Sequence, residues 1–195
     1  NDLIKYSNIN SKIIKIVGPL HWKFHFDKKN LIDKEEFYKS NRLDNKKKTI
    51  LISLKSPTRT NIKEITDFLN KLSTTKLNFE TQFIIKPHPI NFVKKYKTEL
   101  IEIIKFCNRR SHFYVTKNYY DTNKNQEYIS EKNGDLNYQI ENLDSENIYN
   151  YNLLSHSDLM INFFSTLNIE AAIHGLNSIN YIFESHKKNY SESTD

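Results

Sequence analysis

Two short segments of the chain place polar side chains where they could hold and act on a phosphorylated ligand. The first is Asn162-Phe163-Phe164-Ser165-Thr166-Leu167-Asn168-Ile169-Glu170-Ala171-Ala172, which reads as a strand turning tightly into a helix. Such a turn leaves backbone amides at the positive end of the helix dipole, which favours anions, and Ser165 and Thr166 add hydroxyl donors. Glu170 is not explained by capping. A capping box headed by Ser165 or Thr166 asks for Glu or Gln three residues on, where the chain has Asn168 and Ile169. Glu170 instead follows Thr166 by one helical turn, on the same face. A carboxylate there is placed to accept both hydroxyls of a ribose while the amides hold its phosphates. The plain alternative is a Ser or Thr N-cap followed by a solvated glutamate.

The second segment is Lys86-Pro87-His88-Pro89. Two of the chain's four prolines flank this histidine. They fix the backbone where a strand would leave the sheet. His88 is then expected to project rigidly over the sheet edge, as a donor to a phosphate or a guide for an acceptor, with Lys86 adding charge. Arg59, in the loop after another predicted strand, faces the same edge and has the reach for a phosphate; a solvated loop arginine is the alternative. The remaining histidines show no zinc-like spacing, and the lone Cys107 adds no ligand set, so no metal is expected. The chain has no Walker loop, no Gly-rich dinucleotide fingerprint and no Gly-x-Ser-x-Gly elbow.

Composition sets the weight of these residues. The chain has 195 residues, with only 3 Gly, 4 Pro and two Ala, Ala171 and Ala172. Asn, Ile, Lys, Tyr and Phe abound, as an AT-rich coding sequence would give. The adjacent alanines then read as a packing constraint directly after Glu170. The net charge of +6 rests almost wholly on Lys, since Arg occurs only at 42, 59, 109 and 110. Bidentate base contacts favour Arg, so nucleic acid is not the expected partner. No apolar run approaches the roughly 18 residues of a bilayer span. Cys107 reads as a small core residue in a reducing cytoplasm. A peripheral position on the inner face of the membrane is left open. The sequence starts without Met, and a piece of a longer protein is expected.

The elements that must carry these residues follow from hydrophobic pattern. Continuous apolar runs at Thr49–Leu54, Phe83–Ile85, His112–Thr116, Leu159–Phe163 and Ser178–Phe183 predict strands buried on both faces. A further strand is expected at Ile13–Val17, ending at Gly18-Pro19. Helical spacing predicts helices over Leu31–Ser40, Ile62–Leu72, Phe92–Phe106, Asn147–Ser155 and Thr166–His174, the last closed by Gly175. The stretch 117–146 lacks periodicity and reads as a surface insertion or lid. Strands alternating with helices predict an α/β fold: a Rossmann-like parallel sheet with helices on both faces. Both chemical segments then fall at its carboxyl edge, where ligands bind such sheets.

The ordered pair Lys-Pro-His-Pro and Ser-Asp-Leu-Met-Ile-Asn-Phe-Phe-Ser-Thr-Leu-Asn-Ile-Glu-Ala-Ala-Ile-His-Gly resembles the C-terminal domain of GT-B-fold transferases of surface polysaccharides. Capsule polysaccharide synthesis proteins, polysialyltransferase-like enzymes with a His-Pro and a Ser motif, and CDP-glycerol glycerophosphotransferases all look similar here. Val17-Gly18-Pro19-Leu20, with Asp27 after it, resembles the segment that opens this domain. The resemblance runs from about residue 13 to 183. It implies a linker or first strand over 1–17, one half of a GT-B fold over 18–186, and a tail over 187–195. It also implies a nucleotide-activated sugar or alditol as donor substrate, with no cofactor. Ser165 and Thr166 would hold its phosphates, Glu170 its ribose, and His88 the phosphate or the transferred group. Lys86 and Arg59 would add charge. The glycan or lipid-linked acceptor, and the catalytic base, would come from a preceding N-terminal domain. The insertion at 117–146 departs from the family. The alternatives are a UDP-sugar 2-epimerase-like enzyme, though the chain lacks the Gly-Gly turn and paired carboxylates those resemble, and a non-catalytic nucleotide-binding module.

Overall fold

The computed structural model describes residues 20–59, 61–92, 94–116, 129–132, 135–138 and 143–183. The strand expected at Ile13–Val17, the Gly18-Pro19 turn and the tail lie outside them. Seven strands are described: β1 (Lys48–Ser53), β2 (Thr81–Lys86), β3 (Phe113–Val115), β4 (Ile129–Lys132), β5 (Asp135–Tyr138), β6 (Leu159–Asn162) and β7 (Ser178–Asn180). Five helices connect them: α1 (Lys34–Asn41), α2 (Ile62–Thr74), α3 (Lys97–Asn108), α4 (Leu143–His156) and α5 (Leu167–Ile173). A 3-10 segment over Leu20–Phe26 precedes α1.

Five strands form one sheet in the order β3-β2-β1-β6-β7, and each neighbouring pair is parallel. This is the α/β, Rossmann-like fold expected from the apolar strands. Alternation sends Ile50, Ile52, Ile85 and Ile161 to one face, against Ile65, Phe68 and Leu69 of α2 and Ile103 and Phe106 of α3. Leu51, Ile84 and Met160 point the other way, against Phe37 and Tyr38 of α1, Leu153 and Leu154 of α4, and Leu167 and Ala171 of α5. Both faces are covered, which is why the strands carry no polar alternation.

Local signals set the element ends. Asp33 caps α1, its Oδ1 accepting from the backbone N–H groups of Glu35 at 2.9 Å and Glu36 at 3.3 Å. The helix therefore begins after Asp33 rather than at Leu31. Asn61 caps α2 in the same way through the Lys63 amide. The helix expected from Phe92 begins only at Lys97, because Pro89 opens a 3-10 turn over Pro89–Phe92 and a second spans Lys94–Tyr96. Strand β7 ends at Asn180, short of the expected Phe183. Helix α5 ends in a Schellman motif: Gly175 at φ +67° donates to the Ala172 carbonyl, and Leu176 to that of Ala171.

The 117–146 stretch is not without structure. Strands β4 and β5 pair as an antiparallel hairpin within it, and α4 already begins at Leu143. Glu146 consequently belongs to a helix and is buried, at 8% exposure.

Candidate functional site

The chain runs from β1 outward through β2 to β3, then returns to the other side of β1 with β6 and β7. The order therefore reverses between β1 and β6. Crevices at the carboxyl ends of strands flanking such a reversal are where ligands bind open parallel sheets. The last residues of three central strands meet there in register: Lys86 of β2 opposite Ser53 of β1, and Ser53 opposite Asn162 of β6. Alternation puts all three on the face of Ile84, Leu51 and Met160, so a polar row replaces the apolar one at this edge.

Above this row stand the helices of that face. Burial pushes the Lys86 ammonium below its ordinary range, and the carboxylates of Glu146 on α4 and Glu170 on α5 act in the opposite direction. The structure thus gathers Lys86 and Glu170, which the sequence proposed separately, and adds Glu146. Sequence reasoning missed Glu146 because it was read as part of a loop.

The turn from β6 into α5 is fixed by side chains. The Oδ1 of fully buried Asn162 accepts from the Ser165 amide at 2.9 Å, and its Nδ2 donates to Asn168 Oδ1. Asn168 in turn donates to Asn180 of β7. These bonds hold Phe164 at φ +57°, a left-handed conformation costing a side-chain-bearing residue roughly 1–2 kcal/mol. The Ser165 Oγ accepts from the Leu167 amide at 3.2 Å, so this hydroxyl caps α5. Thr166 is exposed and makes no side-chain cap. Of the alanine pair, Ala171 is fully buried against the sheet while Ala172 is exposed, so only the first meets the expected packing constraint.

His88 is held as a neutral donor. Its backbone N–H donates to Asn91 Oδ1 at 2.9 Å, and the Ile90 N–H donates to the His88 Nδ1 at 3.2 Å. With Nδ1 accepting, the ring proton sits on Nε2. Burial, then the neighbouring Lys86 charge, pushes its pKa down from 6.5 to about 4. A ring in this state donates a hydrogen bond from Nε2 and offers no free lone pair, so the geometry suits a fixed donor and not a base. Arg59 lies exposed in the turn after β1, its N–H bonded to the Ser56 carbonyl.

Glu170 is not a solvated glutamate. Its Oε2 lies 3.3 Å from the Nε2 of His25, whose side chain is only 4% exposed. The Nδ1 of His25 lies 2.9 Å from the Nε2 of His174, and the Nδ1 of His174 lies 3.0 Å from the Oγ of Ser155. Tyr151 stacks on His25 and meets His174 edge-on. Neither histidine stood out in the sequence, because their spacing matches no ligand motif. Among the described residues, no group of three or more His, Cys, Asp or Glu side chains is placed to hold a metal ion. No described helix is long and apolar enough to cross a membrane.

No protein-family model and no curated sequence matches the chain. Among solved structures, the chain is similar to NodZ alpha-1,6-fucosyltransferase soaked with GDP-fucose, at 12% identity and TM-score 0.44, covering 76% of this chain and 42% of that one. The same enzyme co-crystallized with GDP gives 10% identity and TM-score 0.43. The UDP-GlcNAc 2-epimerase from Methanocaldococcus jannaschii gives 12% identity and TM-score 0.47, covering 96% of this chain and 45% of that one. The chain thus spans less than half the length of each of these structures.

Proposed function

We propose that this chain supplies the donor-nucleotide site of a transferase acting on a nucleotide-activated sugar or alditol. The observation that carries it is the convergence of Lys86 and Glu170 over a polar row at the point where strand order reverses. A nucleotide offers two chemistries that this edge complements. Its phosphates need cations and donors: Lys86, the Nε2–H of His88, the Thr166 hydroxyl and, from the loop after β1, Arg59. Its ribose needs an acceptor for vicinal hydroxyls, which the Glu170 carboxylate provides. Preorganised donors facing a departing phosphate stabilise charge as it develops, which is how such a site would speed transfer. The motif order of Lys86–Pro89 followed by Ser165–Glu170, with its resemblance to surface-polysaccharide transferases, supports the same assignment.

Within this proposal His88 binds the leaving group, and the proton acceptor for the incoming nucleophile lies elsewhere. Isothermal titration of the chain with CMP, CDP, UDP and GDP tests the site. One of these is expected to bind, and Glu170→Ala is expected to weaken it at least tenfold, as loss of a charged hydrogen-bond partner does. Failure of all four to bind the folded protein would sink the proposal. Binding without transfer to any glycan, once joined to the rest of a longer chain, would favour a nucleotide-binding module.

A further inference from the structure

We propose that His25 is the positioning residue of Glu170, selecting which carboxylate oxygen faces the ligand. The His25 Nε2 lies 3.3 Å from Glu170 Oε2, and since a carboxylate has no proton to offer, it is the protonated ring nitrogen that faces it. In the neutral ring the His25 Nδ1 then accepts, and the His174 Nε2–H donates to it across 2.9 Å. The His174 Nδ1 in turn accepts from the Ser155 hydroxyl across 3.0 Å. The result is a one-way chain of donors, Ser155 to His174 to His25 to Glu170, with its end on the candidate site. Burial pushes the His174 pKa down from 6.5 to about 4, which keeps that ring neutral and one of its nitrogens free to accept.

Each link comes from a different part of the fold. Ser155 and the stacking ring of Tyr151 lie on α4, His174 closes α5, and His25 lies in the 3-10 segment before α1. The two imidazoles meet nearly at right angles, with centroids 5.1 Å apart, so neither ring turns without displacing the other. Glu170 Oε2 is thereby committed, while Oε1 accepts from none of the described residues. The Glu170 side chain retains 19% exposure. Oε1 is the oxygen left for a ligand hydroxyl, held in one orientation before binding. Such preorganisation lowers the entropic cost of binding.

The proposal rests on the nucleotide site proposed above, and titration of one nucleotide set separates the two. The probes are CMP, CDP, UDP and GDP, used on the wild type, His25→Ala, His25→Gln, Glu170→Ala and the His25→Ala/Glu170→Ala double variant. His25→Ala is expected to weaken the bound nucleotide roughly tenfold, the worth of one hydrogen bond to a charged group. His25→Gln keeps a side-chain N–H at similar reach and is expected to recover most of the affinity. The double variant is expected to bind no worse than Glu170→Ala, because both changes remove one pathway. Wild-type affinity in His25→Ala, a loss that Gln does not rescue, or additive losses would each overturn the role of His25 and leave the nucleotide site standing. No binding by the wild type would overturn both. Should His25→Ala not fold, His174→Ala removes the hold on Nδ1 and keeps the donor at Nε2. Weakened binding there supports the proposal, and unchanged binding overturns it.

Discussion

At the residue scale, His88 and His174 share one electrostatic condition. Burial pushes both down to about 4 from 6.5, and each ring uses Nδ1 as an acceptor, from the Ile90 amide and from Ser155. Between these two values the unfolded chain binds protons that the folded chain refuses. Stability from this source is therefore complete above about 6.5 and falls as pH drops toward 4. Thermal melts across this range are expected to show Tm falling with acidification. His88→Gln and His174→Gln are each expected to flatten the slope, and a midpoint for His88 near 6.5 by NMR titration would contradict the geometry. His88 was conspicuous in the sequence because scarce prolines flank it. His25 and His174 were not, because nothing local marks two rings 149 residues apart as partners.

At the element scale, the turn into α5 shows how much of a site is ordinary chain geometry. Ser165 was read as a phosphate donor; its Oγ accepts from the Leu167 amide at the start of the helix, which leaves the hydroxyl proton for a ligand. Asn162, Asn168 and Asn180 fix the turn, but in a chain rich in Asn these three carry no distinguishing mark. The other end of α5 was legible, since Gly175 is one of only three glycines. A Cβ built on Gly175 meets nothing within 4 Å, so a substitution there meets only backbone strain at φ +67°. Gly175→Ala is expected to cost about 1 kcal/mol, read as a lower midpoint in urea with an unchanged m-value. A neutral result would mean that the C-terminal turn of α5 relaxes freely.

At the scale of the whole molecule, stability is concentrated in the central strands. Ile52 of β1 is fully buried, between β2 and β6 and beneath α2 and α3. Ile52→Ala is expected to cost about 2–5 kcal/mol. Ile179 of the edge strand β7 is 50% exposed, and its replacement by Ala is expected to cost well under 1 kcal/mol. Chemical denaturation of the two variants checks this contrast, and equal losses would argue against β1 as the centre of the sheet.

The sequence by itself determined what depends on near neighbours along the chain. Continuous apolar runs imposed buried strands, helical spacing imposed the helices between them, and alternation of the two imposed a parallel sheet covered on both faces. Pro87 and Pro89 marked the exit of β2, and Ser165 to Glu170 marked the entry to α5. The tertiary structure alone decided which strands became neighbours, and hence that Lys86 lies with Ser53 and Asn162 at the point of reversal. It also decided between the two readings of Glu170 as a solvated or a partnered carboxylate, by setting it against His25 and, beyond it, His174. The reason is physical: periodicity records which face of an element is buried, but not which distant side chain it is buried against.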